Sequence, residues 1–262
     1  MVTVATWNVN SLKTRLDHLV TWLKATPHDV VLLQETKLVD DAFPRLEIEA
    51  LGYHVAVKGQ KTYNGVAVLS RHPIEVHLDH LPGDADDDQA RYLEATTAGL
   101  RVAAIYLPNG NPTPGPKFTY KLDWMARLRD RARALLATED AVVLGGDYNV
   151  APEDGDCFDP RGWADDALCR PESRSAFRSI LHLGYTEAFR ALTRETGRYS
   201  WWDYRAGAWS RDQGVRIDHL LLSPQAADRL QAADIDKTPR GWEKPSDHTP
   251  VWCRLADGQD AA

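Results

Sequence analysis

The residues in this chain that could do chemistry stand where apolar runs end. VTVATW (2–7) runs into Asn8, with Asn10 two positions on, and DVVLLQ (29–34) runs into Glu35. RVAAI (101–105) leads to Tyr106 and a Pro-Asn-Gly turn, and AVVLGG (141–146) leads to Asp147 and Asn149. RIDHLLLS (216–223) carries Asp218 near its start, and Asp247 and His248 precede TPVWCRL (249–255). A turn or a cap explains any one of these residues. Their recurrence at strand end after strand end points instead to one shared crevice, because ligands and reacting groups of α/β proteins gather where strands stop.

The residue types fit one chemistry. Glu35, Asp147, Asp218 and Asp247, with Asn8, Asn10 and Asn149, make an oxygen-rich set, and hard cations such as Mg²⁺ or Mn²⁺ prefer oxygen ligands. With His248 as the one imidazole in the set, a multi-histidine zinc site is disfavoured. His248, with an ordinary pKa of about 6.5, can orient or deprotonate water or hydrogen-bond a phosphoryl oxygen. A carboxylate such as Asp218 on its other nitrogen would fix the tautomer and raise that pKa. Asp147 is then free to activate water or to protonate a leaving oxygen. Asparagine donors and Tyr106 stabilise charge on a pentacovalent phosphorus without adding repulsion. The combination points to metal-assisted hydrolysis of a phosphate ester and leaves the substrate open.

Alternating strands and helices must position these groups. Strands are expected over VTVATW, DVVLLQ, HVAV (54–57), GVAVLS (65–70), RVAAIYL (101–107), AVVLGG, RIDHLLLS and TPVWCRL. One helix is expected from Ser11 as N-cap, with Leu12, Leu16, Leu19, Val20 and Leu23 on one face. Others are expected over 117–138 and over 173–184, where Gly184 ends the last. RYLEATTAGLRVAAIYL reads as a hairpin turning at Ala98 and Gly99, so the pairing is mixed rather than purely parallel. PNGNPTPGPK (108–117) and GDADDDQ (83–89) read as loops. The segment 151–176 is long and irregular, a length that in compact domains usually serves function.

At 262 residues and 43% hydrophobic, the chain can bury one sizeable core, and a single domain over 1–262 is expected. The apolar runs are strand-sized, short of the roughly 18–20 residues of a membrane span. MVTVATWNVN opens on a strand pattern rather than a signal sequence, so a cytoplasmic location is expected. Cys157, Cys169 and Cys253 lack CxxC spacing and read as reduced structural thiols. A net charge of −7 excludes a wholly basic nucleic-acid coat. It does not exclude a DNA enzyme, because carboxylates that hold a cation contribute to it.

WNVNSLKTRL, LQETK, YLPNG, GGDYN, SWWDYR, RIDHLLLS and KPSDHTPVW occur in the order and spacing of a known family, and the chain resembles the exonuclease III family of abasic-site endonucleases, most closely its bacterial branch. The wider group is the deoxyribonuclease I-like endonuclease/exonuclease/phosphatase superfamily. The resemblance implies a four-layer α/β sandwich, two mixed sheets face to face with helices outside. It implies a Mg²⁺ (or Mn²⁺) nuclease, monomeric and nucleoid-associated, that incises duplex DNA 5′ to abasic sites, trims 3′-blocking groups and digests the 3′ ends of duplex DNA.

Residue by residue, the resemblance makes Asp147 the acid/base group and Asn149 a stabiliser of the water or the phosphate. It makes Glu35 the principal metal ligand with Asn10 nearby, where some relatives carry Asp. Asn8 would hydrogen-bond the active-site groups, and Tyr106 would contact the scissile phosphate. Asp247 would serve the metal or the network, and His248, backed by Asp218, the phosphate. Which of His248 and Asp147 takes the proton from water stays open. Trp201 would pack on the base-less sugar, which offers bare ring carbons to an apolar wall, with Val215 and Ile217 as pocket neighbours. Lys117, Arg91 and Arg205 are candidates for phosphate contacts. A superfamily phosphodiesterase acting on RNA or small phosphate esters would share Glu35, Asp147 and His248 and remains an alternative.

Overall fold

The computed structural model describes residues 1–258, so the last four residues of the expected 1–262 domain lie outside it. Twelve strands form two six-stranded sheets. In the first, the order is β11 (Leu230–Ile235), β12 (Val251–Leu255), β1 (Val2–Asn8), β2 (Val30–Gln34), β4 (Val66–Ser70) and β3 (His54–Lys58). In the second it is β5 (Glu75–Leu78), β6 (Tyr92–Thr97), β7 (Leu100–Tyr106), β8 (Val142–Asp147), β10 (Asp218–Leu222) and β9 (Thr186–Glu187). β1 with β2 and β7 with β8 are parallel and the other pairs antiparallel, so both sheets are mixed.

The layering follows from burial. Inner-face residues such as Val4, Leu32, Val68, Val102, Val143 and Leu220 share one core between the sheets. Outside the first sheet, α1 (Leu12–Ala25) lays Leu12, Leu19, Trp22 and Leu23 on Ala5, Trp7, Val31 and Leu33. Outside the second, α3 (Pro116–Leu136) and α4 (Pro171–Leu181) pack Trp124, Leu128, Phe177 and Ile180 on Ile105, Leu144 and Leu221. Every residue of β2 is buried because both of its faces are covered, which is why VVLL is apolar without alternation before the buried, hydrogen-bonded Gln34. This is the expected four-layer α/β sandwich. Among the described residues, no helix is long and apolar enough to cross a membrane.

The β6–β7 hairpin turns where expected: Ala98 and Gly99 have φ of 52° and 69°, the pair of positive values a tight hairpin turn needs. Ser11, however, does not cap α1; its φ is 83° and its hydroxyl faces that of Thr14 at 3.1 Å. The helix start is satisfied differently, since the backbone N–H of Ser11 donates to Glu35 O and that of Leu12 to Thr36 O. α4 begins at Pro171, two residues ahead of the expected start, with proline in its favoured first-turn place. The strands β5, β9 and β11 and the short helices α2 (Arg45–Glu49), α5 (Ala188–Leu192) and α6 (Pro224–Ala227) escape the sequence reading. They are short, and β11 (LQAADI) is a partly exposed edge with weak alternation. All three cysteines are free and buried.

Candidate active site

Strand register explains why distant residues meet. Parallel pairing sets Tyr106 beside Asp147, and antiparallel pairing sets Asp218 opposite Asp147. In the first sheet Asn8 pairs with Gln34, which leaves Glu35 one step further along the same rim. Because β12 runs antiparallel to β1, with Thr6 opposite Val251, the segment entering β12 lies at the end of β1. There Ser246 Oγ donates to Asn8 O at 2.7 Å and Trp7 Nε1 to His248 O at 3.3 Å. Glu35, Asn10 and Asn149 all adopt left-handed backbone, with φ of 51°, 41° and 49°. Such conformations cluster at sites where geometry is held against local preference.

The side chains form one chain of hydrogen bonds with a single ion pair, His248 to Asp147, in it. Asn8 Nδ2 donates to Glu35 Oε1 at 2.9 Å and to Asp147 Oδ2 at 3.0 Å, tying the two carboxylates together. His248 Nε2 lies 3.7 Å from Asp147 Oδ2, and its Nδ1 lies 2.9 Å from Asp218 Oδ2. Asp218 in turn accepts from Ser200 Oγ at 2.6 Å. The Asn149 amide is locked: Nδ2 donates to Leu107 O at 2.9 Å and Oδ1 accepts from Asn109 Nδ2 at 3.1 Å. A cleft of about 290 Å³ opens on Glu35, Tyr106, Asp147, Asn149 and His248, and Trp163, Leu168, Trp201 and Ile217 supply its apolar side.

Burial and neighbouring charge set the protonation states. Burial raises Asp147 to about 7, against the pull of His248 and with help from Asp218 and Glu35. Burial would lower His248, but Asp218 and Asp147 outweigh it and carry the ring up to about 10, so it is an imidazolium at neutral pH. Burial would raise Glu35, yet Lys37, the Asn8 amide and His248 hold it below the ordinary carboxylate value. Burial and then Glu35 push Tyr106 well above the usual phenol range, so it keeps its proton as a donor.

Glu35, Asp147 and His248 each offer a ligand atom within 4.8 Å of one another. A protonated His248 has no lone pair to give, which leaves the two carboxylates, and a pair of carboxylates completed by water suits Mg²⁺ or Mn²⁺. Lys37 Nζ lies 2.9 Å from Glu35 Oε2 and 2.6 Å from Asn10 Oδ1, so those oxygens already converge on a positive charge. Asp247 is tied into the network: its Oδ1 accepts from Asn10 Nδ2 and its Oδ2 from Trp201 Nε1, both at 2.9 Å.

The expected substrate contacts divide. Trp201 and Ile217 wall the cleft, but Val215 is fully buried behind them, paired along the backbone with Trp201 and Cys157, and supports rather than lines it. Arg91 lies with its guanidinium 4.7 Å from the centre of the Tyr106 ring and donates to Tyr106 O at 3.3 Å. Arg205 reaches the cleft, exposed and forked onto Asp203. Lys117 is exposed on the first turn of α3 and stands outside the cleft lining.

Several site residues went unread in the sequence. Asn109 and Asn111 come from the Pro- and Gly-rich loop at 108–117, and Trp163, Asp166 and Leu168 from the segment 151–176, whose length was itself the signal. Lys37 sits in the LQETK stretch beside Glu35. Lys121 was legible as a lysine on the apolar stripe of α3, between Phe118 and Met125. It is buried, and burial pulls its ammonium down to about 7 against the fields of Asp147 and Asp166.

A face-to-face sandwich whose rim gathers carboxylates, an imidazolium and fixed amides at one cleft is the architecture of a phosphate-ester hydrolase. The chain belongs to the Endonuclease/Exonuclease/phosphatase family, which it matches over residues 5–248. It is 33% identical over 261 residues to the exodeoxyribonuclease III of Haemophilus influenzae, covering 95% of this chain and 98% of that one. Its fold matches that of the 3′ phosphatase NExo from Neisseria, solved with a product DNA hairpin. There the TM-score is 0.95 and the identity 40%, covering 98% of this chain and 100% of that one. An AP endonuclease from Archaeoglobus fulgidus matches with a TM-score of 0.91 and 35% identity, covering 97% and 99% of the two chains.

Proposed function

We propose that the protein is a divalent-metal-dependent DNA repair nuclease acting on duplex DNA, incising 5′ to abasic sites, digesting from 3′ ends and removing 3′ blocking groups such as a phosphate. The observation that carries this reading is the continuous chain from Ser200 through Asp218, His248, Asp147 and Asn8 to Glu35. The named activities of the relatives support the substrate.

In this reading Glu35 and Asp147 hold a Mg²⁺ or Mn²⁺ ion, which supplies Lewis-acid polarisation of the phosphate when bound. Asp147, next to the cation and to His248, accepts the proton of the attacking water. The His248 imidazolium, fixed by Asp218 at Nδ1, points its Nε2–H at a phosphate oxygen. Tyr106, kept protonated, adds an O–H donor, and the locked Asn149 amide marks the edge of the phosphate position. Trp201, Trp163, Leu168 and Ile217 offer an apolar wall to a deoxyribose that has lost its base.

The test is cleavage of a duplex with one abasic analogue and of a duplex with a 3′ phosphate, each with and without EDTA. Metal-dependent release of either product supports the reading. Hydrolysis of small phosphate esters or RNA alone would replace it with another phosphodiesterase, and DNA binding without turnover would overturn it.

A further inference from the structure

We propose that Lys121 is a positioning residue for the reaction, a buried clamp that sets one wall of the active-site cleft by fastening three stretches of the two loops that follow β7 and β8 to helix α3; the assignment of a reaction rests on the nuclease reading above. Lys121 is fully buried, and its ammonium makes three hydrogen bonds, all to backbone carbonyls: Asn109 O at 3.1 Å, Asn149 O at 2.6 Å and Ala167 O at 3.0 Å. An ammonium has three N–H donors and no acceptor, so its capacity is filled by these contacts.

Each carbonyl belongs to a different segment, and each segment presents side chains to the cleft. The first follows β7 and carries Asn109 and Asn111, the second follows β8 and carries Asn149, and the third carries Trp163, Asp166 and Leu168. The clamped segments are also stitched to one another. Asn109 Nδ2 donates to Asn149 Oδ1, Asn111 Nδ2 bonds both Asp166 oxygens at 3.1 Å, and Ala167 N donates to Asn111 Oδ1 at 3.0 Å. Gly110 closes over the lysine stem with φ of 90°, and a Cβ there would lie 2.6 Å from Lys121 Cδ and 3.2 Å from the Ala167 Cβ.

No carboxylate touches the ammonium, so this is not an ordinary buried ion pair; burying a charge against carbonyls alone is unfavourable for stability. A fold that accepts this gains one point that fixes Asn149, Asn109 and the Trp163–Leu168 wall relative to Asp147. Displacing a reacting or positioning group by about 1 Å can cost roughly a hundredfold in rate.

The experiment uses Lys121→Met, which keeps the stem and removes every donor, and Lys121→Gln, which keeps two N–H donors without the charge. Steady-state kinetics on the abasic duplex are combined with hydrogen exchange of the DNA-free, metal-free protein. For Lys121→Met we expect kcat to fall about 10- to 100-fold with KM within about threefold, and Lys121→Gln to fall between it and wild type. Exchange should speed up at least about tenfold in 109–111, 149–151 and 163–169 and stay unchanged in β1, β2 and β8. In an Asn149→Ala background, Lys121→Met should lose most of its effect on kcat, because both act on one element. Wild-type kcat, a loss confined to KM, exchange accelerated throughout the sheets, or additive effects with Asn149→Ala would each overturn the proposal. Should Lys121→Met fail to fold, the same readouts on Lys121→Gln decide. Absence of metal-dependent cleavage in the wild type defeats the nuclease reading alone, and the exchange pattern still judges the clamp.

Discussion

His248 Nδ1 lies 2.9 Å from Asp218 Oδ2, and both residues are buried. A carboxylate so placed does two things: it chooses which ring nitrogen faces the cleft, and it keeps the ring charged at neutral pH. Asp218→Asn preserves the shape and removes the charge. Turnover on an abasic duplex should fall about 10- to 100-fold. The pH profile carries the sharper sign. A ring raised to about 10 stays protonated throughout the neutral range and loses its proton only as pH rises through that value. Without the Asp218 charge, the alkaline limb of kcat/KM should move down toward the ordinary imidazole range, about 6.5. An unmoved alkaline limb in Asp218→Asn would refute the role given to His248.

Asp147 illustrates a conflict between stability and chemistry. Its folded pKa is raised from 3.8 to about 7, chiefly by burial. A raised acid contributes stability that is complete below its unfolded pKa and is lost as pH rises through the folded one. At pH 8, without metal, the buried carboxylate is therefore a strain on the fold, and Asp147→Asn should raise Tm by at least about 2 °C. The same substitution should lower turnover by at least about a hundredfold, as should His248→Asn. Calorimetry at pH 4 and pH 8 with kinetics on the same samples checks both halves. Near wild-type turnover in either variant would mean that the site is misassigned.

The fold and the centre of this site were largely legible in the sequence, and the reason is physical. Strands buried on both faces, such as VVLL of β2, are apolar without alternation, so the polar residues at their ends stand out, and Glu35, Asp147 and Asp218 were found that way. The β6–β7 turn was legible because Gly99 interrupts two strand-like runs and takes positive φ without a Cβ penalty, a penalty Ala98 accepts at φ 52°. What stayed hidden depends on tertiary contact. Ser11 could not be known to leave its helix without a side-chain cap, because what turns it away is the docking of its own N–H and that of Leu12 on carbonyls of the segment after β2. Asp247 could not be known to spend both oxygens on Asn10 and Trp201. Val215 and Ile217 share one strand face in sequence, and only the packing of Cys157 and Trp201 separates a buried support from a cleft wall.

Trp201 walls the cleft, with its ring edge-on to Trp163 at 5.9 Å and its Nε1–H held by Asp247 Oδ2. An abasic deoxyribose needs that apolar wall, whereas a terminal 3′ phosphate presents its phosphoryl group to His248 and Asp147 first. Trp201→Ala should therefore reduce kcat/KM for abasic incision by about 2 kcal/mol, roughly 30-fold, and reduce 3′-phosphate removal clearly less. Parallel assays on two duplexes that differ only in the lesion provide the comparison. Equal losses on both would count against the sugar-wall role and for a general role in holding Asp247.

Behind the site, Arg216 anchors a second buried network, with Nε 2.8 Å from Asp156 Oδ1 and Nη1 3.1 Å from both Glu187 Oε1 and His219 Nδ1. Asp156 lies in the long loop, Glu187 in β9 and His219 in β10, so one guanidinium joins the loop to the sheet that carries Asp218. Burial would raise Glu187, but Arg216 and His219 prevail and bring it from 4.5 down to about 2. A lowered acid contributes stability that is present above its unfolded pKa and is lost as pH falls through the folded one. Wild-type Tm should therefore drop between about pH 4.5 and pH 2. Arg216→Met fills the volume and strands the carboxylates without their main partner, which should cost about 3–5 kcal/mol at pH 7. Protonating Glu187 then relieves the defect, so the gap in Tm between variant and wild type should narrow as pH falls toward 4. A gap independent of pH would show that Arg216 acts through packing alone and that the charge pairing contributes nothing.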